Sequence, residues 1–562
     1  MDLGLKMHKI KRFVGFVLGY GILAWMAAAV VWYLIVSTLH RGISCDEGYY
    51  LMGYLRGQNI EGQATAFHAI VRTLCRPFAD DNIMVFRYLR LVLNVLALLA
   101  FAVSSFHWLS RKKGMAVSGW AYYPFVALVG AMSFTFATPT ISYDSLELIL
   151  AILISSLLFV QLSTKRNWLR SLCGFGTGFL MWFAFVNYPP AGVCLTILFV
   201  VVYWCETEEG KWKGLVLALV GVVAAVIVQH FFIYDIKNWG SDMAKMFVTT
   251  FTEESKSGHD SGSLVSAMLL TIGKLLLIFV PVVLAVTLLL KKVALPKWLR
   301  LAIVLLICAV LLVVRGIYHL YGTLLLFPVA LMLAEVLSRS ESKISKSLFN
   351  KDMLVILAFV TVPLAGVFGT NQAVMNKAIV FAPFWLLAYF LLSAKLDAKH
   401  TVGLNLVFMV MLFAGYVYLG NFERYHYYYT PRSSKCELAD VLRPQKVLVS
   451  QYQQAYFHDV LDSLQMAGCK AGDRYMAFGE NQMAVYLAGG FIDGRLPYHW
   501  WQYKVFEKEP PKAFIFFKNE EADVVEFFKQ AEWGFPEDYR RMELRKMSEN
   551  MGDDLRTVIY VK

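Results

Sequence analysis

Residues 13–39 read FVGFVLGYGILAWMAAAVVWYLIVSTL, a run of 27 residues without a charged side chain. A helix of this length can cross the roughly 30 Å hydrocarbon core of a bilayer. Four basic residues precede the run, as in a secretory signal peptide: Lys6, Lys9, Lys11 and Arg12. The run is nevertheless too long for the apolar region of a signal peptide, and it lacks a small-residue cleavage site. The sequence therefore predicts a retained membrane anchor.

Apolar runs of similar length recur as far as Gly420 and predict an α-helical polytopic membrane protein with about thirteen spans. Only 17% of the residues are charged and 58% are hydrophobic, whereas about 25% are charged in an ordinary soluble domain. A soluble single-domain protein is therefore excluded. The twelve further spans are expected near 83–107, 115–136, 145–163, 171–187, 190–204, 214–234, 264–290, 300–314, 320–337, 353–369, 373–393 and 402–420. The short runs 171–187 and 190–204 are either two tight spans or a re-entrant pair.

The basic residues indicate which way the chain faces. If the N-terminus is cytoplasmic, alternate loops carry clusters of Lys and Arg, whereas the intervening short loops near 138–143 and 188 carry neither. This is the distribution that the positive-inside rule requires. The formal net charge of +12 is then an orientation signal that faces anionic lipid headgroups, and no nucleic-acid partner is expected. Segments 40–82, 235–263 and 421–562 are predicted to be extracytoplasmic.

Residues 421–562 alternate charged stretches with short apolar runs, unlike the membrane domain predicted for residues 1–420. They predict a soluble, extracytoplasmic small α/β domain. Buried strands are expected at 512–517 (KAFIFF) and 557–561 (TVIYV), and helices at 453–466 and 522–533. The sequence permits two disulfides, Cys45–Cys75 and Cys436–Cys469, although isolated cysteines are more often buried thiols.

Two acidic sites follow predicted spans on the outer side. Residues 43–50, ISCDEGYY, place Asp46 and Glu47 directly after the first span. Neighbouring residues of a helix point about 100° apart, so one carboxylate can enter a cleft while the other holds a neighbouring helix or a cation. Residues 138–145, TPTISYDS, place Asp144 where a loop enters a helix. At both sites the alternative is a helix N-terminus, which favours acidic residues.

A basic and aromatic motif lies in a later outward turn. Residues 315–321, RGIYHLY, contain Arg315, His319 and Tyr321 between two apolar runs. The planar fork of Arg suits a phosphate, and His and Tyr add hydrogen-bond donors. The alternative is an aromatic belt at the membrane interface with a snorkelling Arg.

The order of these features resembles the GT-C membrane glycosyltransferases. The Asp-Glu pair after the first span, the Asp in a short second outer loop, a long later outer loop and the turn R-x-x-Y-H-x-Y followed by LLLFP carry the resemblance. It is most similar to the branch that uses polyprenyl-phosphate sugars and includes protein O-mannosyltransferases and lipid A aminoarabinose transferases. The resemblance covers roughly residues 10–420. The motif Trp-Trp-Asp of oligosaccharyltransferases is missing, because residues 499–502 read HWWQ.

The resemblance implies a catalytic site and a donor-phosphate site. Asp46 would activate the acceptor, Glu47 would support Asp46 or the donor sugar, and Asp144 would be the second acidic residue of the cleft. The donor phosphate would face four residues: Arg315, His319, Tyr321 and Lys377. The loop 235–263 would close over the substrates and contains Lys256, His259 and Asp260.

The resemblance also implies the partners and the location. The donor would be a polyprenyl-phosphate sugar, the acceptor a lipid, a glycan or a protein, and the location a bacterial inner membrane. No cofactor and no metal site are assigned; a divalent cation stays open, and Glu253 and Glu254 are a candidate pair for it or a solvated charge pair. Two other classes compete with the enzyme: a transporter, whose pathway could include Lys274 and Glu147, and a membrane-anchored assembly or binding protein. Both residues lie near span ends, where snorkelling would suffice.

Overall fold

The structure is a computed structural model of the 562-residue chain. It describes residues 21–43, 46–60, 65–78, 82–112, 119–208, 210–252, 320–339, 350–368, 377–396, 435–438, 447–493, 496–497, 499–500, 509–546 and 552–562, with isolated helical residues between 266 and 287 and at 405 and 408.

Helices make up most of the described chain before residue 397. In chain order they are α1 (Gly21–Thr38), α2 (Glu47–Tyr54), α3 (Phe67–Cys75), α4 (Ile83–Lys112), α5 (Gly119–Thr135), α6 (Tyr143–Ser163), α7 (Asn167–Asn187), α8 (Pro189–Glu206), α9 (Lys211–Val228), α10 (Ile236–Thr252), α11 (Leu320–Arg339), α12 (Lys351–Ala365) and α13 (Ala382–Ser393). A π-helical turn, Gln229–Ile233, extends α9.

Six helices in the described part of the chain are long and apolar enough to cross a membrane. They are α1, α4, α6, α7, α8 and α9 with its π-helical turn, and they coincide with six of the expected spans. Helices α7 and α8 meet at Tyr188, and each is long enough to cross by itself. The runs expected at 115–136, 320–337, 353–369 and 373–393 overlap the helices α5, α11, α12 and α13. Those at 264–290, 300–314 and 402–420 lie wholly or largely outside the described residues.

Helix α4 has one apolar exposed face and one buried face that carries polar groups. Val92, Leu96, Leu99 and Val103 recur every three or four residues, and each exposes half of its side chain or more. An exposed apolar stripe of this kind is stable in lipid and costly in water. On the opposite face of α4, Arg87, Arg90 and Asn94 are buried.

The C-terminal part of the chain contains two sheets. Strands β1 (Cys436–Glu437) and β2 (Leu448–Val449) form an antiparallel pair. The larger sheet contains β3 (Arg474–Ala477), β4 (Phe491–Ile492), β5 (Ala513–Phe517), β6 (Arg540–Lys546) and β7 (Arg556–Val561) in the order β4-β3-β5-β7-β6. Strand β3 pairs in parallel with β4 and β5, whereas β7 pairs antiparallel with β5 and β6. Helices α14 (Gln451–Met466), α15 (Gln482–Leu487) and α16 (Glu521–Phe528) accompany the sheets.

The predicted strands at 512–517 and 557–561 are confirmed, since β5 and β7 coincide with them to within one residue. Side chains alternate between the two faces of the larger sheet, as the strand period requires. Ala513 and Ile515 belong to a hydrophobic core shared with α14, α15 and the membrane helices. Phe514 and Phe516 belong to a separate core on the other face, which also contains Phe528 of α16. Cys75, Cys436 and Cys469 are free thiols, so the pair Cys436–Cys469 does not form a disulfide here.

Candidate active site

A lysine and an aspartate from distant parts of the chain meet at one end of the helical bundle. Lys377 Nζ lies 2.9 Å from Asp144 Oδ2, and it donates a 2.6 Å hydrogen bond to the Tyr143 hydroxyl. The ammonium group also lies 4.8 Å from the centre of the Tyr143 ring. Both charged side chains are largely shielded, being 9% and 14% exposed. The structure thus brings together two of the predicted site residues, Asp144 and Lys377.

The start of α6 fixes the position of Asp144. Ser142 is the N-cap residue: its hydroxyl accepts a 3.2 Å hydrogen bond from Ser145 N, and Ser145 Oγ accepts a 2.7 Å bond from Ser142 N. This capping box satisfies the exposed amides of the first turn. The N-cap alternative for Asp144 is therefore not realised, and its carboxylate, in the first turn, faces Lys377 instead.

The loop before α6 is held by two buried side chains. Arg90 donates to Phe134 O at 2.6 Å and to Thr138 O, and its guanidinium lies 4.0 Å from the centre of the Phe134 ring. The Tyr54 hydroxyl donates to Ile141 O. These bonds connect α2 and α4 to the segment that leads into Asp144.

The two neighbouring acidic residues at the start of α2 have different surroundings. Glu47 is fully buried and forms a two-pronged ion pair with Arg87, at 2.9 Å from Nε to Oε1 and 2.7 Å from Nη2 to Oε2. Asp46 is half-buried and stands at the N-cap position of α2, but its side chain makes no capping hydrogen bond. Glu47 therefore connects α2 to helix α4, whereas Asp46 is partly exposed.

Aromatic rings connect α2 and α3 to the ion pair of Lys377 and Asp144. Tyr50 of α2 lies 5.6 Å from Phe67 and 6.4 Å from Tyr143, measured between ring centres. Tyr143 lies 5.1 Å from Tyr188, at the junction of α7 and α8. Asp46 stands one helical turn before Tyr50, because Tyr50 N donates to Asp46 O at 3.4 Å. Asp46 thus belongs to the same neighbourhood as Lys377.

A second buried polar pair lies beneath the first. Asn187 Nδ2 donates to Glu147 Oε2 at 2.8 Å and to Tyr143 O at 3.0 Å, and both side chains are fully buried. Glu147 therefore does not snorkel, contrary to the expectation from its place near a span end, because α7 covers it. Three oxygens here have no hydrogen-bond partner among the described residues: Asp144 Oδ1, Glu147 Oε1 and Asn187 Oδ1. We call Tyr143, Asp144, Glu147, Asn187, Tyr188 and Lys377 the Lys377 cluster.

A histidine of α3 is buried next to the aromatic rings of α2. His68 of α3 lies 4.9 Å from Tyr49 between ring centres, and an added Cβ at Gly53 would come within 1.9 Å of its Cδ2. Burial, with a smaller contribution from the charge of Arg72, lowers the pKa of His68 to about 3. Its imidazole is therefore neutral at physiological pH and packs as an aromatic ring.

The other predicted site residues fall in less fully described segments. Arg315, His319, Lys256, His259 and Asp260 lie outside the described residues, as do Glu253, Glu254 and Lys274. Tyr321 lies in the first turn of α11, and only its backbone is described. Within the described ranges, no group of three or more His, Cys, Asp and Glu side chains could hold a metal ion.

Sequence reasoning missed the two buried arginines of α4. Arg87 and Arg90 are three residues apart in the otherwise apolar stretch IMVFRYLRLVLNVLALL, residues 83–99. That spacing places both on one helix face. Because a charge at this depth needs a partner, the pattern could have signalled that α4 anchors neighbouring acidic and carbonyl groups.

No known protein-family model matches this chain, and no curated protein sequence matches it. Its function must be inferred from the Lys377 cluster, Asp46 and the membrane helices themselves.

Proposed function

We propose that the chain is an integral-membrane glycosyltransferase that moves a sugar from a polyprenyl-phosphate-linked donor to a lipid, glycan or protein acceptor. The observation that carries the proposal is the 2.9 Å contact between Lys377 and Asp144, with the half-buried Asp46 in the same neighbourhood. A shielded cation that is paired with a carboxylate at the ends of apolar helices suits a lipid donor whose phosphate enters from the bilayer. The donor needs no nucleotide-binding motif.

The proposed reaction uses the charges in a defined order. Asp46 accepts the proton of the acceptor hydroxyl, and the acceptor oxygen forms a bond with C1 of the donor sugar. The bond between C1 and the phosphate oxygen breaks, and its electron pair leaves with polyprenyl phosphate. The ammonium of Lys377 stabilises the negative charge that develops on this oxygen. Carboxylates beside an oxocarbenium-like centre serve the same purpose in glycoside hydrolases.

The polar and aromatic groups of the Lys377 cluster suit a sugar. Tyr143 and Tyr188 supply ring faces, and both side chains are partly exposed. Asp144 is partly exposed and retains one oxygen, Oδ1, without a partner in the described chain. Sugar hydroxyls are donors that such an oxygen can bind, and pockets for small molecules combine apolar walls with a few polar groups of this type.

We place this site on the extracytoplasmic face of a bacterial inner membrane, with about thirteen spans and the C-terminal domain outside. The support is the distribution of Lys and Arg between alternate loops. Fusion of alkaline phosphatase, which is active only outside the cytoplasm, after Lys562 tests this topology. We expect high phosphatase activity; activity only from a cytoplasmic reporter at the same position would overturn the orientation.

Substitution of Asp46 tests the catalytic role. The Asp46→Asn variant should be inserted in the membrane at the normal level and should transfer no sugar, measured with lipid extract from cells lacking the chain as the donor source. Asp352→Asn is the matched control, because Asp352 is a half-exposed carboxylate that pairs with Lys395 at 2.9 Å. This control should transfer at the wild-type rate. Unchanged transfer by Asp46→Asn would remove Asp46 from the reaction.

A transporter is the second candidate, and the burial of Glu147 within a candidate span favours it. The two functions differ in their product. A transferase forms a new glycosidic bond in detergent solution, where there is no compartment to cross. A transporter moves its substrate only across sealed vesicles and leaves the donor lipid intact. Formation of the glycosylated acceptor in detergent would exclude transport as the primary activity.

A further inference from the structure

The segment that leads to Asp46 is held from two sides. On one side, Leu448 N donates to His40 O at 2.8 Å and Gly42 N donates to Leu448 O at 2.6 Å. Residue 41 thereby pairs in parallel with Leu448 and forms a single bridge to β2. On the other side, Arg87 of α4 donates to Leu39 O at 2.7 Å and to Gly42 O at 2.6 Å.

Two glutamines form hydrogen bonds between the C-terminal part of the chain and the segments that flank α2. Gln453 of α14 is buried and donates from Nε2 to Ile43 O at 3.1 Å, three residues before Asp46. Gln58, beyond the other end of α2, donates from Nε2 to Ile492 O at 3.1 Å and accepts from Ile492 N at 2.8 Å. The side chain of Gln58 thus satisfies both backbone groups of a residue in β4, as a neighbouring strand would.

A glycine allows the helix bearing the acidic pair to touch the C-terminal domain. A Cβ added to Gly48 would lie 2.2 Å from Met483 N and 2.6 Å from Met483 Cα. Because these are backbone atoms of α15, no change of side-chain rotamer could relieve the overlap. At the position two residues after Asp46, only glycine permits this close approach.

From these contacts we infer that the C-terminal domain is a positioning element of the active site: it fixes the helix that presents Asp46. Gln453, Gln58 and Gly48 are the positioning residues. The inference rests on the proposed function for its catalytic consequence, but the structural coupling stands independently of it. A misplacement of about 1 Å can cost a transferase roughly a hundredfold in rate, so rigid attachment on both sides of Asp46 has a direct use.

Hydrogen–deuterium exchange of the full-length protein in detergent tests the coupling. Two neighbouring residues of α14 form a matched pair: Gln453 reaches Ile43, whereas Gln454 donates to Glu437 O within the C-terminal domain. In Gln453→Ala and Gln58→Ala we expect faster exchange of the amides of residues 47–54, and in Gln454→Ala no change there. Gly48→Ala should show the largest increase. Equal exchange of this peptide in Gln453→Ala and Gln454→Ala would overturn the inference.

The kinetics of sugar transfer test whether the C-terminal domain positions Asp46 for catalysis. Lipid extract from cells lacking the chain again supplies the donor. Gln453→Ala should lower kcat by up to roughly a hundredfold. The acceptor KM should stay unchanged, because the acceptor is bound but misaligned. A raised acceptor KM with unchanged kcat would instead make the domain an acceptor-binding module and overturn the positioning role. If the wild-type chain transfers no sugar while Gln453→Ala still accelerates exchange at 47–54, the proposed function fails and the coupling of the domain to α2 holds.

Discussion

Lys377 Nζ lies 2.9 Å from Asp144 Oδ2, and neither side chain is more than 14% exposed. Such a pair has two possible uses: it can stabilise the bundle, or it can hold a cation ready for an anionic substrate. Stability and activity respond differently to removal of one partner or of both, so the two uses are separable.

Removal of Lys377 alone should reduce both stability and activity. Lys377→Met leaves the carboxylate of Asp144 without its cation, which costs on the order of 3–5 kcal/mol for a shielded pair. The double variant Lys377→Met/Asp144→Asn removes both charges and should recover most of the thermal stability in detergent. Sugar transfer should remain absent in both. A double variant that regains transfer would show that the pair is only structural.

The neighbouring carboxylates Asp46 and Glu47 should give opposite phenotypes. Glu47→Gln breaks a fully buried ion pair with Arg87 and should lower the free energy of unfolding by ~3–5 kcal/mol. Asp46→Asn should leave thermal stability close to that of the wild type and abolish transfer. Differential scanning fluorimetry combined with the transfer assay compares them. A stable, fully active Glu47→Gln protein would contradict the framework role of Glu47.

His68 should make the folded state less stable in acid. Burial lowers its pKa from the ordinary 6.5 to about 3, so between these values the unfolded chain binds a proton that the folded chain does not. Stability from this group is complete above pH 6.5 and falls by up to ~1.4 kcal/mol per pH unit below it. Unfolding of wild type and His68→Phe between pH 4 and pH 7 should differ in slope, the variant being flatter. Parallel curves would show that His68 does not titrate as described.

Arg90 should control the loop that leads to Asp144. Arg90→Met removes the donors to Phe134 O and Thr138 O and leaves buried carbonyls unsatisfied, at about 1–3 kcal/mol. Amide exchange of residues 134–142 should accelerate, and transfer should fall. Arg111→Met is the control, because Arg111 is exposed near the other end of the same helix. Equal exchange of the loop in the two variants would contradict the anchoring role.

Features set by local sequence could be predicted. Six membrane helices follow from the length of their apolar runs, and β5 and β7 follow from short apolar runs between polar segments. A boundary was less predictable: the helix expected over 522–533 ends as α16 at Phe528 and continues as a 3₁₀ turn, Lys529–Ala531. Local composition does not specify where the last turn tightens.

Features set by tertiary contact could not be predicted. The sequence placed Asp144 and Lys377 in one site only through a family resemblance, because nothing local joins Lys377 to Tyr143, 234 positions away. Glu147 was expected to snorkel, but it faces α7 and is buried. Position near a span end does not reveal which helix covers a side chain. The ion pair of Glu47 with Arg87 likewise could not be predicted, because it depends on how α2 packs against α4.

Sugar transfer from a polyprenyl phosphate should change the pool of lipid-linked sugars in the cell, which mass spectrometry measures. Lipids are extracted from cells that carry the wild-type chain, from cells that lack it and from cells that carry Asp46→Asn. We expect one polyprenyl-phosphate sugar to accumulate in the second and third strains, and we expect the corresponding glycan to be missing from the acceptor. Identical lipid-linked sugars and acceptor glycans in all three strains would contradict this function.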